Sequence, residues 1–149
     1  MAKGKPITVE YKTLVVIWSA LLSSQAVFLL LVYLLEPELF TFDISRTFFG
    51  EQPLITLAFA ASAIVFFILS FVLRRQHMRR AIQDHDAGCV QTGLVLGCAL
   101  SEVASILGVI LALVFGHPYF YLWIALGALG ILLHFPRKGN LDAALEKTP

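Results

Sequence analysis

Apolar residues run along this chain in four long blocks separated by shorter polar stretches. The blocks are Leu14–Leu35, Pro53–Leu73, Cys89–Phe115 and Tyr119–Phe135. Each approaches or exceeds the roughly 20 residues that a helix needs to cross about 30 Å of hydrocarbon. The fourth is the shortest; it can tilt little, or the membrane thins around it. The pattern predicts an all-α integral membrane bundle of four transmembrane helices, forming a single domain over residues 1–149. Pro53 suits the first turn of the second helix, where its missing N–H is not needed. Gly116-His117-Pro118 is so short a connection that the third and fourth spans must form an antiparallel hairpin. Two such hairpins make up the predicted bundle.

The polar stretches set the expected orientation. Lys3, Lys5 and Lys12 precede the first block, Arg74, Arg75, Arg79 and Arg80 follow the second, and Arg137, Lys138 and Lys147 follow the fourth. Only Arg46 lies in the first connection, beside Glu36, Glu38, Asp43 and Glu51. By the positive-inside rule both termini and a basic loop at 74–88 are cytoplasmic, so a multi-pass protein of the cell inner membrane is expected. The first apolar run is too long for the h-region of a signal peptide and is read as a retained span. The first connection carries Leu39, Phe40, Phe42, Ile44, Phe48 and Phe49, and should lie on the membrane surface or over the helix ends. Tyr11, Trp18 and Tyr33, and Tyr119, Tyr121 and Trp123, are candidate interface anchors. Residues 136–149 read as a polar tail with one helical turn around Leu141–Leu145.

Composition agrees. The chain is 58% hydrophobic and 14% charged, against about 45–50% and about 25% in soluble domains. The net charge of +1 matters less than its distribution. Cys89 and Cys98 fall on nearly opposite faces of one helix, cannot pair with each other, and read as small apolar packing residues. His134 reads as an interfacial residue at the end of the fourth span. His77 and His85 read as part of a solvated loop, and the arginines 74, 75, 79 and 80 either set orientation or bind anionic lipid headgroups. Aligning Thr13 with Thr92 sets Ser23 opposite Glu102, a register that either reflects two parallel repeats of one hairpin or chance in a biased alphabet.

The third block holds the candidate chemistry. Gly93, Gly97, Ser101 and Ser105 recur every fourth position, as do Ala104, Gly108 and Ala112. Such rows allow close helix approach, either within the chain or between copies. Beside them is Glu102, the only Asp, Glu, Lys or Arg in the four blocks. A carboxylate at the bilayer midplane costs roughly 2.5–3.5 kcal/mol or more. With no cation in the spans to pair with it, Glu102 is expected to rest in its neutral form. Ser101 and Ser105, and from the first span Ser23, Ser24 or Gln25, can hydrogen-bond it. Either it is a protonated residue joining helices or a reversible site for H⁺ or Na⁺.

The run Ala99-Leu100-Ser101-Glu102-Val103-Ala104-Ser105-Ile106-Leu107-Gly108-Val109-Ile110-Leu111-Ala112-Leu113, followed by Phe115-Gly116-His117-Pro118, resembles the carboxylate-bearing helix of the rotor-ring c subunit, the proteolipid of F-type and V-type ATP synthases. Arg74-Arg75-Gln76 is similar to the Arg-Gln loop of that family. The resemblance implies that Glu102 binds the transported H⁺ or Na⁺. The second span lacks the family's repeated glycines, and the specific match covers about one fifth of the chain. The competing expectation is a structural or accessory subunit of a membrane complex. A third is a small transporter working as a dimer. Partners are then the lipid bilayer and either further copies of the chain or other membrane subunits. No nucleophile–base pair, metal-ligand spacing or phosphate-binding glycine loop occurs. An enzyme, a cofactor, a metal and a nucleic-acid partner are therefore not expected.

Overall fold

The computed structural model describes residues 11–41 and 52–145. Among these residues all regular structure is helical: α1 (Tyr11–Leu35), α2 (Pro53–Asp84), α3 (Ala87–Phe115), α4 (Tyr121–Leu133) and α5 (Lys138–Leu145), with a 3-10 turn at Pro37–Phe40. The first three are long and apolar enough to cross a membrane, and α4 is a shorter apolar helix. The chain is a helical membrane protein. At 13 residues, α4 is only about 20 Å long, shorter than the span read for it.

Helix ends follow local chemistry. Pro53 occupies the first turn of α2. Gly116, at φ 58°, ends α3: its N–H bonds to the Ala112 carbonyl and that of His117 to the Leu111 carbonyl. The segment 74–88, read as a loop, is helical as far as Asp84. Arginine, glutamine, methionine and alanine are good helix formers, so the charged stretch ends the apolar run without ending the helix. The link is only His85–Asp86. His85 takes a left-handed conformation, and the Asp86 side chain accepts from the Gly88 N–H at 2.8 Å, capping α3.

α3 is the hub. It packs on α2, α4 and α1, and α4 also touches α1 and α2. The row Gly93, Gly97, Ser101 and Ser105 and the row Ala104, Gly108 and Ala112 are all buried within the chain. An added Cβ at Gly108 would sit 2.9 Å from the Phe120 carbonyl oxygen, and one at Gly127 would sit 2.9 Å from that of Ser101. The α3–α4 backbones therefore approach too closely for larger side chains, as expected where packing replaces a hydrophobic driving force. Trp123, read as an interface anchor, is buried against Ala63, Ala104 and Leu111. Its ring sits where the alanines at 63 and 104 leave room for it.

The tail differs from its reading as well. α5 makes two turns and packs on α2 and α3, burying Leu141 and Ala144 beside Ala81, Ala87, Val90 and Leu94. At the other end Leu39 packs with Val32 and Phe120, and Phe40 meets the rings of Tyr33 and Phe120. The start of the first connection thus covers helix ends. Its remainder, with Phe42, Asp43, Ile44, Arg46, Phe48, Phe49 and Glu51, lies outside the described residues, as do Lys3, Lys5 and Lys147.

Candidate functional site: a polar network between α1 and α3

α1 and α3 run parallel and meet in register at their middles. Ser24 Oγ bonds to Glu102 Oε1, and Ser105 Oγ bonds to Gln25 Oε1. Gln25 Nε2 donates to Ser24 Oγ at 3.3 Å, closing a chain of four side chains: Glu102, Ser24, Gln25 and Ser105. Ser24 Oγ is also 2.7 Å from the Leu21 carbonyl oxygen, and Ser105 Oγ is 3.4 Å from that of Ile124. Gln25 and Ser105 are buried, whereas Ser24 and Glu102 are half-buried. The network therefore runs from the interior of the bundle to its lipid-facing side, where Ala99 and Ile106 flank Glu102 and are exposed.

The Ser24 hydroxyl has one proton and two lone pairs, which limits the protonation states that satisfy every contact. If Glu102 is neutral, it donates to Ser24 Oγ, Gln25 donates to the second lone pair, and the Ser24 proton goes to the Leu21 carbonyl. All of the hydroxyl's capacity is then used. If Glu102 is ionised, the same hydroxyl must turn its proton from Leu21 to the carboxylate. The Leu21 carbonyl sits inside α1, where a helix bond already serves it. One hydroxyl rotation separates the two states.

The other candidates are placed differently. Ser23, set opposite Glu102 by the repeat register, is exposed and donates to the Ser19 carbonyl at 2.8 Å. A rotation of 100° per residue turns it off the face that carries Ser24 and Gln25. Ser101 is buried at the α3–α4 contact; its hydroxyl donates to the Gly97 carbonyl at 3.0 Å, and its side chain packs against Gly130. Neither joins the network. Of the basic residues assigned to lipid headgroups, Arg75, Arg79 and Arg80 are exposed. Arg74 turns inward and donates to the carbonyls of Leu133 (3.5 Å) and Phe135 (3.2 Å), closing the C-terminal end of α4. No family model matches the chain, and neither does any curated protein or solved structure.

His134 was missed as an interior residue. It is fully buried, its ring 4.5 Å from that of Phe71 and pressed against Gly97, with the Ser70 and Gly130 backbone beside it but neither ring nitrogen in good hydrogen-bond geometry. Read along the sequence, it ends an apolar run and looks interfacial. In three dimensions α4 is short, and its last turn lies inside the bundle. The glycine spacing was the available signal, since Gly97 leaves a hole that some large side chain must fill. Cys98 is buried and Cys89 half-buried, both as free thiols. Among the described residues no group of three His, Cys, Asp or Glu is arranged to hold a metal.

Proposed function

We propose that this chain is a small multi-pass inner-membrane protein, related in kind to ATP synthase c-type proteolipids, in which Glu102 takes up and releases a proton within the bilayer. In this reading α4 makes the fourth crossing, both termini are cytoplasmic, and the protein is not an enzyme. The observation that carries it is the Ser24 hydroxyl, which accommodates Glu102 neutral or ionised by a single rotation. The position of Glu102, midway along α3 and half-buried toward lipid, supports the same reading. A proton suits the site better than Na⁺. Ser105 occupies Gln25 Oε1, which turns the amide N–H₂ of Gln25 toward Ser24, and an amide N–H repels a cation.

The second reading is structural, with Glu102 a permanently neutral hydrogen-bonding group in a subunit of a membrane complex. One observation favours it: α1 has only three buried residues, Leu14, Gln25 and Val32, so the network also anchors that helix. Labelling of membranes with a hydrophobic carbodiimide across a pH series separates the two, with Glu102→Gln as control. Such reagents require a protonated carboxyl reachable from the apolar phase. Modification confined to Glu102 that falls as pH rises, without protection by Na⁺, is the expected result. Protection by Na⁺ would turn the assignment to that ion. No modification at any pH in a folded protein would sink the proton site and leave the structural role. Native mass in mild detergent then tells a ring of many copies from a dimer or a hetero-complex.

A further inference from the structure

At the end of the bundle that carries α5, four elements converge on one narrow cleft, whose inner space of about 10 Å³ leaves its polar groups to meet a ligand at the mouth. It is lined by Leu14 of α1, Arg74 and Met78 of α2, Val90 and Leu94 of α3, and Pro136, Arg137 and Asn140 around the start of α5. Two arginines line this cleft, and among the described residues no carboxylate does. Among the described residues no lysine or arginine forms an ion pair with a carboxylate. Arg74 uses part of its donor set on the two carbonyls that end α4, and a guanidinium has five N–H donors in all. α5 begins one residue after Arg137, with Asn140 N–H bonded to the Arg137 carbonyl at 3.1 Å. The positive end of that helix therefore opens beside the same two arginines.

From this convergence we propose that the cleft is a binding site for the phosphate group of an anionic glycerophospholipid. Two like charges brought to one cleft repel each other, and a phosphate bridging them removes that repulsion through charge-assisted hydrogen bonds. The level of the cleft selects the lipid over a free anion. Leu14 opens the first apolar block, Arg74 follows directly on the second, and Val90 and Leu94 begin the third. The cleft therefore lies where apolar sequence gives way to polar, the depth at which headgroup phosphates sit, with apolar walls on the side where acyl chains run. Arg75, Arg79 and Arg80 are exposed on the same helix and do not line it. The site is thus a defined pair, Arg74 with Arg137, and not the basic run as a whole.

The test titrates short-chain phosphatidylglycerol, and separately inorganic phosphate, into the full-length protein in a neutral detergent, with bound adducts read by native mass spectrometry. One phosphatidylglycerol per chain is expected to saturate. Arg137→Gln, an exposed position that need not disturb folding, should weaken it roughly tenfold, while Arg75→Gln stays within about twofold of the parent. A thermal midpoint for Arg137→Gln close to that of the parent keeps the comparison one of binding. Inorganic phosphate competing with the same dependence on Arg137 would keep the anion site but overturn its assignment to lipid. Equal losses in the two variants would reduce the effect to diffuse charge and overturn the site, as would no saturable binding of either probe.

Discussion

The seams that α3 makes with α4 and with α1 are built by opposite means. Against α4, Gly97, Ser101, Ser105 and Gly108 meet His134, Gly130, Gly127 and Trp123, and contact is so close that glycine on one helix accommodates a side chain or carbonyl of the other. Against α1 the contact is polar and sparser: Ser24 and Gln25 reach Glu102 and Ser105, with Leu14 and Val32 buried toward the two ends of α1. Lipid is as apolar as leucine, so helices gain nothing from burying apolar side chains as such. One seam gains dispersion through fit; the other gains hydrogen bonds whose alternative is an unsatisfied group in hydrocarbon. A fitted seam is rigid, whereas a polar seam with a rotatable hydroxyl can exist in two protonation states. The proposed chemistry sits on the second kind, braced by the first.

Four substitutions would break or sharpen that contrast. Gly127→Val should have the largest effect. Even a Cβ there would lie 2.0 Å from Ser105 Oγ and 3.1 Å from the Ser105 backbone nitrogen, and the expected loss is about 3 kcal/mol in reversible unfolding in detergent. A loss below the cost of the polar-seam variants would show that α4 is not tightly docked. Gly97→Ala comes next. Its Cβ meets the His134 ring, with 2.2 Å to Cδ2, and should cost about 2 kcal/mol. Combined with His134→Ala the penalty should shrink well below the sum of the single changes, and strict additivity in that double-mutant cycle would mean the two do not touch.

Ser24→Ala should be milder, about 1 kcal/mol, because the hydroxyl's bonds to Glu102, Gln25 and the Leu21 carbonyl go while Glu102 keeps partial exposure and the Leu21 carbonyl keeps its helix bond. Its clearer signature is in carbodiimide modification, where the pH at which Glu102 ceases to react should shift, and an unchanged profile would detach the hydroxyl from the proton site. Glu102→Gln should have the smallest effect on stability, within about 0.5 kcal/mol, since an amide N–H can donate to Ser24 Oγ as the neutral acid does. Unfolding midpoints check this, and a large loss would mean that the ionised form is the stable one.

Much of this molecule is legible from residue order, and where legibility fails the reason is physical. Glu102 stands out along the chain because a lone carboxylate in apolar sequence is costly. Ser105 and Gln25 fit its neighbourhood by helical spacing and by depth. Choosing Ser24 over Ser23 needed the rotation of α1 about its axis, which an apolar helix lacking a polar stripe does not encode. His134 and Trp123 look interfacial because polarity and aromaticity at the ends of a run have two explanations, a watery interface or a hole left by glycine. Arg74 and Arg137 stand far apart in the chain, and nothing local tells that they share one cleft.

The sequence by itself determined that this is a helical membrane protein, where the apolar parts of three long helices lie, that α3 carries rows of small residues, and that one carboxylate lies among them. Length, hydropathy and capping are local quantities, and local order suffices to read them. The tertiary structure alone decided that α3 is the hub, that the small rows are spent within the chain, that α4 is short with a buried histidine at its end, and that Ser24 and Gln25 complete the site of Glu102. These depend on how helices rotate and dock, and in lipid that is set by shape and by single hydrogen bonds, neither of which leaves a periodic mark on the chain.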